Sequence, residues 1–231
     1  LAYRIDPLDT VLFENPQAAV SWTLPSVSTI MTGLYPPVHG VKRGRRDKLG
    51  DWSRLLTEVL KENGYATCFI ATNPYTGREY GFDRGVDDFR FDSSASPHWV
   101  NKQDQDFLSR QQDGRPVFIY LHTMEPHTPY EPTAASLALF DRGGAADCEA
   151  TSQAIKAIGK VDPVISEEKL RRLTDLYDAE IRDNDAGFGE FIALLKRLGR
   201  YDDSVTILLA DHGEAFDEHG TMLHGSSLSR E

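Results

Sequence analysis

The chain has 231 residues, of which 40% are hydrophobic and 26% are charged, so it holds enough apolar side chains for a folded core. Its net charge of −11, from 36 acidic against 25 basic residues, disfavours binding to nucleic acid through electrostatic attraction. No apolar run approaches the roughly 20 residues that a membrane-spanning helix requires. We therefore expect neither a nucleic-acid partner nor a membrane segment in this chain.

In the first half of the chain, helical periodicity alternates with short apolar runs. Thr23 with Pro25 predicts the start of a helix, with Thr23 as its N-cap and Gly33 just past its end. Two further helices are predicted over residues 51–62 and 104–111. A buried strand is predicted over residues 65–71, and a further, clearer strand over residues 117–122. This alternation is typical of an α/β fold with a mostly parallel sheet.

In the second half, residues 133–163 are small and polar without a steady period, and we expect them to form a long surface loop. Apolar residues at helical spacing predict a long helix from Ser166 to Gly199. Residues 205–210 predict a third core strand. The acidic residues on the long helix are predicted to be solvated or to cap backbone groups: Asp178, Glu180 and Asp183.

The third predicted strand runs directly into Asp211-His212-Gly213, and function in parallel sheets gathers at the carboxyl ends of strands. A neighbouring carboxylate and imidazole are good ligands for a divalent metal ion. His219 and His224 follow within the next twelve residues and favour the same interpretation. The alternative is a polar loop in which Asp211 caps a following helix.

A second candidate, His127, follows the predicted strand at 117–122. Pro126 and Pro129 restrict the backbone around it, so its side chain has a fixed direction, which suits a general acid for an anionic leaving group. The alternative is a proline-rich surface loop with a solvated histidine.

Thr23 is the third candidate, because a hydroxyl at a helix N-terminus lies in a positive field that attracts anions. A metal ion in contact with its oxygen would make the alkoxide accessible near neutral pH. The alternative is that Thr23 only caps its helix.

Five segments, in this order, resemble the sulfatase family of the alkaline phosphatase superfamily. They are WTLPSVSTIMTGLYPPVHG at 22–40, GFDRG at 81–85, HTMEPHTPY at 122–130, LYDAEIR at 176–182, and ADHGE at 210–214 with His219-Gly220 and His224-Gly225. The resemblance implies an α/β fold, a three-layer alkaline-phosphatase-like sandwich around a mostly parallel central sheet. It also implies an enzyme that cleaves anionic esters of the sulfate or phosphate type.

By position, the resemblance places Thr23 at the nucleophile site and gives Asp211, His212 and Thr23 as metal ligands. His127 matches the histidine that contacts the leaving-group side of the ester, and His224 matches the Lys or His presented to the substrate anion. One divalent metal ion is implied, Ca²⁺ or Mn²⁺ first and Zn²⁺ as a further candidate.

Two departures from the sulfatase pattern shift the expected chemistry. Sulfatases place the Cys or Ser that becomes formylglycine where this chain has Thr23, and Val27 replaces the Arg of that signature. The Lys-x-His pair expected near Thr72-Asn-Pro74 is absent. We therefore expect no formylglycine, and a threonine nucleophile favours phosphoester or phosphonate cleavage.

Against the family pattern, residues 1–231 are predicted to form a partial catalytic domain. The expectation is that the first metal-ligand strand lies before Leu1 and the C-terminal part beyond Glu231. Two alternatives remain at this stage: a true sulfuric ester hydrolase with an unusual site, and an inactive fragment or degenerate non-catalytic homologue.

Overall fold

A computed structural model describes residues 10–42, 44, 46–111, 113–143, 148–161 and 165–225. Its α-helices are α1 (Thr23–Thr32), α2 (Pro36–His39), α3 (Leu56–Glu62), α4 (Pro97–Arg110), α5 (Ala134–Phe140), α6 (Ser152–Val161) and α7 (Glu167–Arg197). Its strands are β1 (Ala66–Ala71), β2 (Asp88–Phe91), β3 (Val117–His122), β4 (Ala215–Phe216) and β5 (Met222–Leu223). Among the described helices, none combines the length and apolar character needed to cross a membrane.

The main sheet has three parallel strands in the order β2-β1-β3. The central strand β1 is buried along its whole length, because it has a neighbour on each side. Phe69 on β1 stands in register with Phe89 on β2 and Tyr120 on β3, and its ring contacts both of theirs. The strands predicted at 65–71 and 117–122 are confirmed, and the fold is α/β.

The chain divides into two compact units. The first, called here the sheet unit, comprises residues 17–124 and 194–212 and contains the parallel sheet. The second, the helix unit, comprises residues 1–16, 125–193 and 213–231, with β4 and β5 paired as a short antiparallel ribbon. Each unit has its own core; that of the sheet unit includes Leu24, Val27 and Phe69, and that of the helix unit includes Ile155 and Leu173.

The third predicted strand is wrong. Residues 205–210 are not a strand, and Val205, Ile207, Leu208 and Leu209 are 91%, 76%, 66% and 52% exposed. An apolar run becomes a strand only when another strand pairs with it, and no described strand pairs with this one. The third strand of the sheet is β2 instead, whose four residues are too few to show a clear alternation.

The predicted surface loop at 133–163 is also wrong, because it contains α5 and α6. Thr133 caps α5 by accepting a hydrogen bond from the backbone N–H of Ser136, and Ile155 of α6 is buried in the core of the helix unit. The helix predicted from Asp51 begins only at Leu56. Glu58 accepts the backbone N–H of Leu55 at 2.8 Å and so defines this later start.

Asp104 on α4 is fully buried, and neither of its carboxylate oxygens has a hydrogen-bond partner of good geometry among the described residues. Burial raises the pKa of this carboxyl from 3.8 to about 7, and the backbone N–H of Gln105 opposes the shift only in part. Between these pH values the folded state binds more protons than the unfolded chain, so stability falls as pH rises from about 4 to about 7.

Asp104→Asn is therefore expected to stabilise the protein above pH 7 and to have little effect near pH 4. An increase of roughly 2–4 kcal/mol in the free energy of unfolding is expected at pH 8. Urea unfolding at pH 4 and pH 8 measures this difference. If Asp104→Asn changes the free energy of unfolding equally at both pH values, the buried charge of Asp104 is not the cause of the change.

Candidate active site

Thr23 is the first residue of α1 and not its N-cap, which is Trp22. The Thr23 side chain is only 3% exposed, and its hydroxyl contacts two other side chains instead of the backbone of its own helix. The prediction that Thr23 caps the helix is therefore wrong in detail. Its hydroxyl lies at the positive end of α1 and is available for chemistry.

Asn73 is one of the two groups that contact the Thr23 hydroxyl. It lies two residues beyond the end of β1 and is 4% exposed. Its Oδ1 accepts the backbone N–H of Tyr75 at 2.9 Å, so the Nδ2 amide faces Thr23 and donates to Oγ1 at 3.3 Å. Because this bond uses the oxygen as an acceptor, the Thr23 proton must point elsewhere.

His212 is the second group, and its Nε2 lies 3.3 Å from Thr23 Oγ1. The hydroxyl and the imidazole nitrogen are within hydrogen-bonding distance, and the His212 tautomer decides which of them donates. The neighbouring Asp211 accepts the His212 backbone N–H on its Oδ1 at 3.1 Å, while Ser26 of α1 donates to the Asp211 carbonyl oxygen. Thr23, Asp211 and His212 thus lie together in the sheet unit.

Asp211 Oδ2 is a buried oxygen that has no hydrogen-bond partner within the described ranges. It lies 3.7 Å from His212 Nε2. An unsatisfied buried carboxylate oxygen is costly unless a cation compensates it, so this oxygen, the imidazole and the Thr23 hydroxyl fit a divalent cation. Only two of these donors are Asp or His, and the described part of the chain contains no cluster of three or more His, Cys, Asp or Glu side chains suited to a metal.

The negative charge of Asp211 also affects β3. The pKa of Tyr120 is raised first by burial and then by the nearby Asp211 carboxylate. The Tyr120 hydroxyl lies 3.0 Å from His122 Nδ1, which provides it with a hydrogen-bond partner. Tyr120 is therefore a neutral neighbour of the site.

His127 and His224 lie together in the helix unit, with ring centroids 4.9 Å apart. His127 Nδ1 is 2.7 Å from the carbonyl oxygen of Thr128, and His224 Nδ1 is 3.1 Å from a carboxylate oxygen of Glu214. Each Nδ1 thus lies beside an oxygen acceptor, which favours the tautomer with the proton on Nδ1. His219, the remaining histidine of this region, is exposed.

A family model described as Sulfatase matches residues 8–229 of the chain. The chain belongs to the sulfatase family. This is the family that the motif order predicts, and it is a family of ester hydrolases.

Two curated relatives are similar to this sulfatase-family chain. An arylsulfatase of Clostridium perfringens is 22% identical over 161 residues, covering 66% of this chain and 32% of the relative. The low-salt glycan biosynthesis sulfotransferase Agl7 of Haloferax volcanii is 28% identical over 206 residues, covering 89% of this chain and 41% of the relative. The chain therefore spans well under half the length of both relatives.

Solved structures of similar fold include a protein in complex with its substrate D-glucosamine-2-N,6-O-disulfate, with a TM-score of 0.71 and 15% identity over 92% of this chain and 60% of that one. The phosphonate monoester hydrolase of Agrobacterium radiobacter has a TM-score of 0.70 and 17% identity over 89% of this chain and 56% of that one. At this identity the likeness shows the fold, and it confirms the predicted alkaline-phosphatase-like class.

Two residues of these clusters escaped the sequence analysis. Asn73 stood in a segment that was considered only for an absent Lys-x-His pair, although its place just after a parallel strand was a usable signal. Glu214 belongs to the ADHGE motif, but its pairing with His224 spans ten residues and depends on the β4–β5 ribbon.

Proposed function

We propose that this chain carries the nucleophile of a metal-dependent ester hydrolase, with Thr23 attacking phosphoester or phosphonate substrates. The observation that supports this most directly is the buried Thr23 hydroxyl, whose Oγ1 lies 3.3 Å from Asn73 Nδ2 and 3.3 Å from His212 Nε2, next to the buried Oδ2 of Asp211. The N-terminus of α1 adds a positive field for an anionic group.

Asp211 Oδ2, His212 Nε2 and Thr23 Oγ1 would hold the divalent ion, with Ca²⁺ or Mn²⁺ as the first candidates and Zn²⁺ as the next. The bound ion would lower the pKa of the hydroxyl and offset the charge of the substrate. Asn73 donates to the same oxygen, which stabilises negative charge on it and keeps it in one rotamer.

In the proposed reaction, Thr23 Oγ1 gives its proton to solvent water and attacks phosphorus, and the leaving group departs with the electron pair of its broken bond and takes a proton from solvent. The new O–P bond forms as the bond to the leaving group breaks, and water then cleaves the covalent phosphothreonine. A sulfated threonine would lack the geminal hydroxyl with which formylglycine expels sulfate. The residue type at this position is therefore the argument for phosphorus over sulfur.

His127 and His224 are proposed to act on the leaving group and the substrate anion. What supports this role is that the two rings lie together, with centroids 4.9 Å apart, and that each Nδ1 lies beside an oxygen acceptor. The Glu214 side chain beside His224 is only 4% exposed, so it fixes the direction of that ring.

Sulfate ester cleavage is the second candidate. It is favoured by the arylsulfatase among the relatives and by the fold shared with a protein whose substrate is a disulfated glucosamine. The presence of a threonine at the nucleophile position argues against sulfate ester cleavage.

The test compares p-nitrophenyl sulfate, p-nitrophenyl phosphate, bis(p-nitrophenyl) phosphate and a p-nitrophenyl phosphonate, each with Mn²⁺, Ca²⁺ or Zn²⁺. We expect a phosphorus ester to give the highest kcat/KM and a quenched reaction to show a phosphoryl group on the peptide that contains Thr23. Faster cleavage of the sulfate, retained in Thr23→Ala, would establish the second candidate and refute the first.

A further inference from the structure

Three polar residues of α7 point at one segment of backbone, residues 125–133, which carries His127. Glu180 Oε1 accepts the backbone N–H of Glu131 at 2.7 Å, and Asp183 Oδ2 accepts that of Thr133 at 2.7 Å. Asn184 Nδ2 donates to the backbone carbonyl of Glu125 at 3.0 Å. Spacings of three and four residues place all three side chains on the same face of the helix.

Glu180 is the most unusual of the three, because it is only 4% exposed and its Oε2 has no hydrogen-bond partner in the described structure. Burial raises its pKa to about 7, although the backbone N–H groups of Glu131 and His127 both act to lower it. Glu180 is therefore not a solvated charge, and it caps a backbone N–H, as the other half of the prediction expects. Its carboxylate holds the segment that carries His127 through the backbone N–H of Glu131.

The same segment is also held by residues that precede and begin α6. Tyr130 donates its backbone N–H to the carbonyl of Ala150 at 3.1 Å, and the hydroxyls of Thr128 and Ser152 are hydrogen-bonded to each other. Tyr130 packs edge-on against Tyr177 of α7. The backbone on each side of His127 thus has defined partners, and Glu180 supplies the one at Glu131.

We propose that Glu180, supported by Asp183 and Asn184, is a positioning residue that sets the direction of the His127 imidazole relative to His224. The inference rests on the proposed action of His127 on the leaving group. A misplacement of about 1 Å in a reacting group can lower the rate about 100-fold. The position of His127 is therefore a functional reason for a buried carboxylate at residue 180.

The test compares Glu180→Ala, Glu180→Gln and a control on the same helix, Asp175→Asn. Asp175 is fully buried, and its carboxylate accepts the backbone N–H of Arg142 at 2.9 Å and the Nε–H of Arg142 at 2.5 Å. Removing the charge of Asp175 therefore weakens packing elsewhere on α7. Glutamine keeps an acceptor for the Glu131 N–H, and alanine does not.

We expect Glu180→Ala to lower kcat about 10- to 100-fold with KM changed less than about threefold, and Glu180→Gln to recover most of the rate. In NMR spectra, the nuclear Overhauser contact between the His127 and His224 rings should disappear in Glu180→Ala and persist in the other two variants. Asp175→Asn should lower Tm without changing kcat below its transition.

Equal losses of kcat in Glu180→Ala and Asp175→Asn, or an unchanged ring contact in Glu180→Ala, would overturn the inference. A His127→Ala variant distinguishes failure of the inference on Glu180 from failure of the proposed function. If His127→Ala retains full turnover, the leaving-group role of His127 fails, while the ring contact still decides whether Glu180 orients the imidazole.

Discussion

Replacing Thr23 by alanine is expected to lower kcat/KM about 1,000-fold or more on whichever ester the protein cleaves. In the proposed reaction, the substitution removes the attacking oxygen and leaves only the binding of the substrate anion. The Thr23 side chain is buried and its hydroxyl contacts Asn73 and His212, while the nearby Ser26 hydroxyl donates to the Asp211 carbonyl oxygen. Steady-state kinetics with the best substrate of the panel measure the loss.

Thr23→Ser and Thr29→Ala are the matched comparisons. Serine keeps the hydroxyl and should retain turnover within about tenfold. Thr29 lies on the same helix, where its hydroxyl donates to the Pro25 carbonyl and lies 3.1 Å from His39 Nε2, so its loss perturbs α1 without touching the nucleophile. A Thr29→Ala defect as large as that of Thr23→Ala would mean that helix stability, and not nucleophilic attack, explains both.

Removing the proposed metal ligands is the second change with a large expected effect. Asp211→Asn and His212→Ala should each weaken Mn²⁺ binding at least about 100-fold, because the described residues offer few other donors to compensate. Calorimetric titration with Mn²⁺, Ca²⁺ and Zn²⁺ measures the affinity without reference to turnover. Chelation of the ion should abolish hydrolysis by the unsubstituted chain.

Asp203→Asn provides the control, since Asp203 is an exposed carboxylate of the same unit. It should leave both the affinity and the rate unchanged. Failure of all three ions to bind the unsubstituted chain would instead favour the non-catalytic alternative, in which the fold is retained without a working site.

Local signals explain what the sequence analysis predicted correctly. β1 and β3 are short apolar runs, and the long helix α7 has apolar residues at helical spacing, so each element is visible within its own segment. Thr23 and Asp211-His212 stood out for the same reason. Their chemistry is contained in two or three consecutive residues, and the structure brings both segments together in the sheet unit.

The roles of Asn73 and Glu180, which the sequence does not predict, depend on contacts between segments far apart in the chain. The role of Asn73 requires α1 to lie beside the end of β1, and Glu180 becomes a buried acceptor only because residues 127–131 cross over it. Residues 205–210 show the opposite error, in which apolar composition predicted a strand that lacks a described pairing partner. Burial and pairing are properties of the fold, and no single segment contains them.

The exposed apolar run at residues 205–209 also affects how the protein behaves in concentrated solution. It is rich in β-branched and aliphatic residues and contains no charge, a composition that lets segments of separate molecules pair edge to edge. The net charge of −11 opposes this, because like-charged molecules repel one another. Salt at 0.1 M limits the range of that repulsion to about 10 Å. It does not weaken the attraction between apolar segments. Colloidal stability therefore falls as ionic strength rises, and kinetic measurements call for dilute protein at low salt.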